Sequence, residues 1–323
     1  MPTTKNNYFN NSKVANSIVR MEDLGNEYNV TELGKNTKNY NKSNKGKDLV
    51  SYIVFDSDDL PITCYKLNRF DLAVMDAVYS IMVSGIQTMT IEMILNVMTG
   101  KNVKYCKETS KKFEGIIRSI EKLASIRIKI NCTEIMRAKK KIKDTEEMVL
   151  TGSMLPVNGC YIISPDTKEN KIEYTVTNKP ILYQYAEELG RIISVPSHVL
   201  SLTGVREDLE FTIIKQQLIK EIEIMKNPNN NYYTTDIVYE WEHGGDTKGF
   251  FQRVGINKDD YKAGSAWRNK KSRINEQVKT VLEHLIEIDY IAGYEFKKQS
   301  NSIIGVSIKL EKEKEIEKAE ALP

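Results

Sequence analysis

Residues 105–130, YCKETSKKFEGIIRSIEKLASIRIKI, decide the fold class. In their first part Phe113, Ile116, Ile117, Ile120 and Leu123 recur at helical spacing, which turns one apolar stripe toward a core. Directly after it Ile126, Ile128 and Ile130 alternate with Arg127 and Lys129, the period of a strand with one buried face. Two helical patterns precede this stretch. Phe70, Val74, Ala77, Val78 and Ile81 make the first, opened by Asn68 as N-cap and ended at Gly85. Ile91, Ile94, Leu95 and Met98 make the second, between a Thr90 cap and Gly100. Strand-like pieces follow at 148–154, 159–164 and 171–176, after a basic run at 137–143. Three helices and then a β hairpin with a long basic tip is the order of a winged helix-turn-helix.

The order recurs further along. Leu209, Ile213, Ile214, Leu218, Ile222 and Met225 line one face of a long helix that Pro228 and an Asn run close. Short apolar segments follow at 237–239 and 250–256, then a basic helix over 267–286 and alternating strands at 290–296 and 303–310. Laying Leu123 over Leu285 aligns Ile116, Ile120 and Ile126 with Val278, Leu282 and Ile288, so the second half repeats the first. The expected fold is α+β, two tandem winged helix-turn-helix domains with a disordered N-terminal arm. The arm covers 1–58, where Asn, Lys and Ser outnumber aliphatics and no core can offset the ordering entropy. The first domain covers 59–178. A connector at 179–205 begins with a helix carrying Pro180 in its first turn and is apolar enough to dock on a domain. The second domain covers 206–310, and a charged tail 311–323.

The chain has 323 residues and a formal net charge of only +3, but the charge is segregated. Between residues 101 and 143 fourteen Lys/Arg stand against four Asp/Glu, a balance of +10, and between 258 and 279 seven against three, a balance of +4. Segregation of this kind creates a local positive field under a near-neutral total. No apolar run reaches the ~18 residues of a membrane-spanning helix, and residues 1–12 lack the pattern of a signal peptide. Cys64, Cys106, Cys132 and Cys160 never fall in a CxxC pair, which argues for reduced thiols in a cytoplasm and against a zinc ribbon.

Catalytic patterns are missing. There is no GxxxxGK[ST], GxGxxG or GxSxG, and His198, His243 and His284 are far apart with no metal-ligand spacing. The triad Asp56, Asp58, Asp59 reads as a solvated hinge. The expectation is a non-enzyme with no cofactor and no metal site. Nucleic-acid chemistry remains: directional donors such as Asn and Arg read base edges, and lysines hold phosphates. Around the third helix the candidates are Asn102, Lys104, Lys107, Lys111 and Arg118, and at the expected wing tip Lys139, Lys140, Lys141 and Lys143. In the second half they are Arg268, Asn269, Lys270, Lys271, Arg273 and Lys279, with Trp267 read as a core anchor of the helix start.

The chain resembles the plasmid replication initiators built from two winged-helix domains. The resemblance rests on Leu67-Asn68-Arg69-Phe70-Asp71-Leu72, on the helix 105–123 running into a wing, and on Tyr174-Thr175-Val176 leading to Pro180. It rests further on KQQLIKEIEIMKN at 215–227 and LIEIDYIAGYEF at 285–296. It implies sequence-specific binding to double-stranded DNA at origin repeats, exchange between a homodimer and a monomer, and recruitment of host replication proteins. The residues leave two alternatives open. One is a DNA-binding transcriptional regulator or partition accessory protein, the other a winged-helix protein-interaction module.

Overall fold

The computed structural model describes residues 4–12, 15–16, 29–34, 37–44, 47–55, 67–104, 109–163, 170–226, 235–243 and 246–310. The protein is α+β and divides into two compact units, Met1–Ser201 and Leu202–Pro323.

The core of the first unit is built by α1 (Arg69–Val83), α2 (Ile91–Thr99) and α3 (Ser110–Ser125). Asn68 caps α1 in a reciprocal capping box with Asp71, which satisfies two backbone donors at the helix start. The same Asp71 carboxylate accepts from Ser119 Oγ at 2.7 Å and Lys122 Nζ at 2.6 Å, tying the start of α1 to the last turns of α3. Thr90 caps α2 through the Met93 N–H, and α2 ends on left-handed Gly100. A Cβ at Gly100 would lie 2.7 Å from the Leu200 carbonyl carbon, so the close approach of the chain at Leu200 requires glycine there. On α3 four residues of the expected stripe, Phe113, Ile116, Ile120 and Leu123, are buried in the core, and Ile117 is half-buried beside it.

Among the described residues the first unit has three sheets. Strand β1 (Asn6–Asn10) pairs antiparallel with β10 (Ile192–Pro196). Strands β2 (Asn29–Gly34), β3 (Thr37–Asn44), β4 (Lys47–Phe55), β6 (Ile126–Asn131) and β7 (Val149–Ser153) form a five-stranded sheet in the order β2-β3-β4-β6-β7. A short helix α4 (Thr133–Ala138) lies between β6 and β7. The third sheet takes β5 (Thr88–Thr90), β8 (Val157–Ile163) and β9 (Asn170–Val176) in the order β5-β9-β8. Helix α5 (Ile181–Glu188) follows with Pro180 at its N-cap, then β10 and a 3-10 turn at Ser197–Leu200. Residues 181–200 thus belong to the first unit, with Leu182, Tyr183, Val199 and Leu200 in its interior.

Two expectations are corrected here. Residues 6–10, 29–34, 37–44 and 47–55 are strands rather than parts of a disordered arm. Phe9 is 3% exposed, and Asn7 and Asn10 are buried as well. Composition hides this because the Asn side chains are buried by hydrogen bonding. The Asn10 amide gives Nδ2 to the Leu182 carbonyl at 2.9 Å, and its Oδ1 accepts the Ser12 N–H at 2.9 Å. The Asn10 backbone N–H donates to Asp76 Oδ1 at 2.8 Å, the oxygen that also accepts the Tyr183 hydroxyl. The charged hinge at Asp56, Asp58 and Asp59, and the tail 311–323, lie outside the described residues. The second correction concerns the first wing. The strand after α3 joins the five-stranded sheet, and the hairpin that pairs with β5 is β8–β9, some thirty residues later.

The second unit opens with α6 (Leu209–Lys226), followed by β11 (Asp236–Val238). A small hairpin of β12 (Trp241–His243) and β13 (Asp246–Lys248) comes next, then α7 (Phe250–Arg253). After a 3-10 turn at Lys258–Asp260 comes the 24-residue helix α8 (Gly264–Glu287), and then β14 (Gly293–Gln299) and β15 (Ser302–Lys309). Their sheet has the order β11-β15-β14. An aromatic group holds the helices: Tyr239 stacks on Phe251 at 4.8 Å, and Phe251 meets Trp267 edge-on at 5.6 Å. Gly249 has φ +135°, and a Cβ there would stand 2.3 Å from the Tyr239 carbonyl oxygen. Three of the charges buried in this unit, Lys215, Glu207 and Glu221, are paired, as burial of an ion demands. Lys215 Nζ meets Glu207 at 2.7 Å, and Arg253 grips Glu221 with two bonds of 2.7 and 2.9 Å.

Each unit therefore contains a helix, a short strand, a second helix, a long third helix and a hairpin. In each the short strand pairs with the second hairpin strand. The aligned residues Ile116/Val278, Ile120/Leu282 and Leu123/Leu285 are all buried, at corresponding faces of α3 and α8. Beyond the helices the sequence alignment and the topology part company. The counterpart of β14 is β8, because α4 with its flanking strands β6 and β7 stands between α3 and the hairpin.

Candidate nucleic-acid interface

On α3 only Lys111 and Arg118 of the candidates lie on the helix, and both are exposed. Arg118 Nη2 is 3.7 Å from Glu114 Oε2, one turn back, with both side chains mostly in solvent. Asn102 and Lys104 are exposed in the loop before α3, which begins at Ser110 rather than at 105. Lys107 lies outside the described residues. The outward face of α3 mixes signs, since Glu114 and Glu121 are exposed alongside the two cations.

The expected wing-tip lysines sit elsewhere. They follow α4, and two of them cap the end of α5. Lys139 Nζ donates to the Leu189 carbonyl at 2.8 Å, and Lys141 Nζ to the Glu188 carbonyl at 3.1 Å and carboxylate at 2.5 Å. The physical reason is the helix C-terminus, whose unpaired carbonyls and negative dipole end attract ammonium groups. Lys140 is exposed with φ +56°, and the Lys143 N–H donates to Glu146 Oε2.

In the second unit all six candidates lie on α8, five of them in its first three turns and Lys279 further along. Arg268, Asn269, Arg273 and Lys279 are exposed. The buried stripe, Trp267, Ile274, Val278, Val281, Leu282 and Leu285, leaves them on the outer side. Trp267 is 6% exposed, a core anchor as its position at the helix start suggested. The Lys271 ammonium lies 5.8 Å from the Trp267 ring. Lys270 is bound to Glu210, and Arg273 to Asp208, both at the start of α6. Lys279 stands 3.8 Å from Glu283. Positive charge on α8 is thus concentrated in its N-terminal half, because Glu276, Glu283 and Glu287 are exposed further on. The N-cap, Ala263, supplies no side-chain acceptor and the first turn has no acid, so no side chain of the cap or first turn takes up the first backbone donors.

The β14–β15 turn adds residues not among the sequence candidates. Lys298, Gln299, Ser300, Asn301 and Ser302 are exposed at its tip, while Lys297 is bound to Asp236. The signal was present as the polar run KKQSNS at 297–302 between two alternating strands.

Among the described residues no group of three or more His, Cys, Asp or Glu is placed to hold a metal ion. Cys132 is a buried thiol that donates to the Met148 carbonyl at 3.4 Å and Cys160 an exposed one, whereas Cys64 and Cys106 lie outside the described residues. Among those residues, too, no helix is long and apolar enough to cross a membrane. Comparison with protein-family models, with curated proteins and with solved structures gave no match to this chain.

Proposed function

We propose that this protein binds double-stranded DNA sequence-specifically through two tandem winged-helix units, and that it initiates replication of a plasmid or mobile element at origin repeats. The observation that carries the proposal is the shared topology. Both units place a short strand between the first and second helices and pair it with the second strand of a hairpin that follows the third helix. That pairing supports a winged-helix reading, in which the third helix would enter the major groove and the hairpin turn reach the backbone beside it. The exposed cations and amide on the first turns of α8 suit this role, since the N-terminal residues of a recognition helix meet base edges. Arg268 and Asn269 carry directional donors for base edges, and Lys271 and Lys298 supply phosphate contacts. In the first unit Lys111, Arg118, Asn102 and Lys104 are assigned the same task. Lys139 and Lys141, engaged at the end of α5, are given no phosphate contact in this reading.

The initiator role is favoured over a regulator or a partition accessory protein by the sequence resemblance, which spans about residues 60–310. No metal or cofactor enters the proposal, and a cytoplasmic location fits it.

Anisotropy with the full chain on duplexes from DNA flanking its gene, against a scrambled duplex, tests this across a salt series. Tight binding that prefers repeats, with affinity falling ~10³ to 10⁵ between 50 and 200 mM salt for ~6–10 phosphate contacts, is the expected result. Equal and weak binding to both duplexes overturns it. Arg268→Ala is expected to cost about 1–3 kcal/mol and relax specificity at one position. Loss of replication, rather than altered expression, on deletion of the gene separates initiator from regulator.

A further inference from the structure

We infer that Asp208 is a built-in competitor for DNA phosphate at Arg273, holding that guanidinium back from arbitrary sequence. The inference rests on the DNA-binding proposal above and concerns how that interface is regulated.

Two of the cations on α8 are paired with acids at the start of α6, and the two pairs differ in kind. Lys270 is bound to Glu210 with its side chain only 13% exposed, and the Tyr261 ring lies 5.9 Å away. That pair is part of the packing of α8 on α6. Arg273, by contrast, is bound to Asp208 where both side chains are half exposed, at 55% and 52%. Its Nε also stands 3.9 Å from Glu210 Oε1. An exposed pair of this kind is worth at most about a fivefold change in an equilibrium, so an incoming phosphate can displace it. A guanidinium presents the same planar fork of donors to a carboxylate and to a phosphate, and the two anions therefore compete for Arg273.

Asp208 also repels any phosphate that approaches while it remains in place. A loosely seated duplex leaves Arg273 on Asp208 and gains nothing from it. A fully seated one, held by base contacts from Arg268 and Asn269, brings phosphate close enough to take over the guanidinium. The carboxylate thereby penalises the wrong partner, a repulsive element of the sort specificity requires.

The geometry permits a clean substitution. Asp208 Oδ1 accepts the Phe211 N–H at 2.8 Å while Oδ2 faces Arg273. Asp208→Asn keeps the helix cap, because Asn and Asp cap equally well, and removes the charge. Glu287→Gln changes net charge by the same amount at the far end of α8, roughly 20 Å along the helix and more than a Debye length away at 0.15 M salt.

Anisotropy of full-length variants on a mixed-sequence duplex, over 50–200 mM salt, decides the matter, with thermal melts confirming that each variant is folded. Asp208→Asn is expected to tighten binding about twofold to fivefold and to steepen the log–log salt slope by about 0.9, one extra phosphate. Glu287→Gln is expected to leave the slope unchanged, and Asp208→Asn combined with Arg273→Gln to abolish the gain. Equal effects of Asp208→Asn and Glu287→Gln, or a gain that survives Arg273→Gln, overturn the inference while DNA binding stands. Absence of measurable DNA binding by the unsubstituted protein overturns both.

Discussion

Replacing Phe9 with Ala tests whether the first dozen residues are structure or leader. Phe9 is 3% exposed in β1, opposite Ile193 of β10. Truncating a buried Phe to Ala costs about 3–5 kcal/mol, from lost transfer energy and the cavity left behind. Neighbouring bonds raise the stakes. The Tyr8 N–H donates to Ser80 Oγ at 2.8 Å and the Asn10 N–H to Asp76, so a loosened β1 also leaves buried acceptors on α1 without their donors. Measured against the 5–15 kcal/mol of a typical folded domain, the loss removes a large share of the first unit's stability. The assay exploits the placement of the two tryptophans. Trp241 and Trp267 both belong to the second unit, so fluorescence excited at the indole edge follows that unit. Far-UV circular dichroism follows both. In urea, Phe9→Ala is expected to bring forward the part of the dichroism transition that fluorescence does not report, leaving the fluorescence midpoint in place. A shift worth less than about 1 kcal/mol, within the range of an ordinary surface substitution, would refute the claim that β1 is integral to the unit.

Other substitutions separate local causes. Gly249→Ala forces a side chain into a left-handed position against the Tyr239 carbonyl, and is expected to destabilise the second unit by about 1–3 kcal/mol or more, read as an earlier fluorescence midpoint. The double substitution Lys139→Ala, Lys141→Ala removes the cations at the end of α5, and should cost the first unit about 1 kcal/mol or less per lysine. Its DNA salt slope should stay constant, whereas two lost phosphate contacts would reduce it by about 2. Burial raises the Glu240 carboxyl above its ordinary range, partly offset by Lys271 and Lys258. A carboxyl raised on folding favours the folded state below its unfolded value and opposes it as pH rises through the folded value. Glu240→Gln is therefore expected to raise the melting temperature of the second unit at pH 7, and the difference should vanish on acidification below the ordinary carboxylate range.

Much of the fold is legible in the chain, and for identifiable reasons. The caps at Asn68 and Thr90, the stop at Gly100 and the Pro180 start depend on a few adjacent residues, and each lies where local chemistry puts it. The stripes of α3 and α8 follow from a 3.6-residue period and are buried as expected. Lost to sequence reasoning were features whose partners are distant. The strand at 6–10 is made by pairing with residues 192–196, and Asn-rich composition conceals burial that works through hydrogen bonds. The wing assignment failed for a related reason. Basic residues and a nearby strand suggested one hairpin, whereas the strand after α3 pairs with β4 and β7. The candidate site divides the same way. That α8 is basic on its outer side could be read directly, but that Lys270 and Arg273 are held by acids sixty residues earlier could not.

The chain's own pattern was enough for the long helices, for the strands at 126–131, 149–153, 157–163, 170–176, 293–299 and 302–309, and for the segregation of positive charge, because periodicity, capping and net charge are local sums. Tertiary structure alone decided which strands share a sheet, which lysines face solvent and which close a helix end, and which arginine is already occupied by a carboxylate. Those outcomes depend on distances between residues far apart in the chain, and a one-dimensional pattern contains no distances.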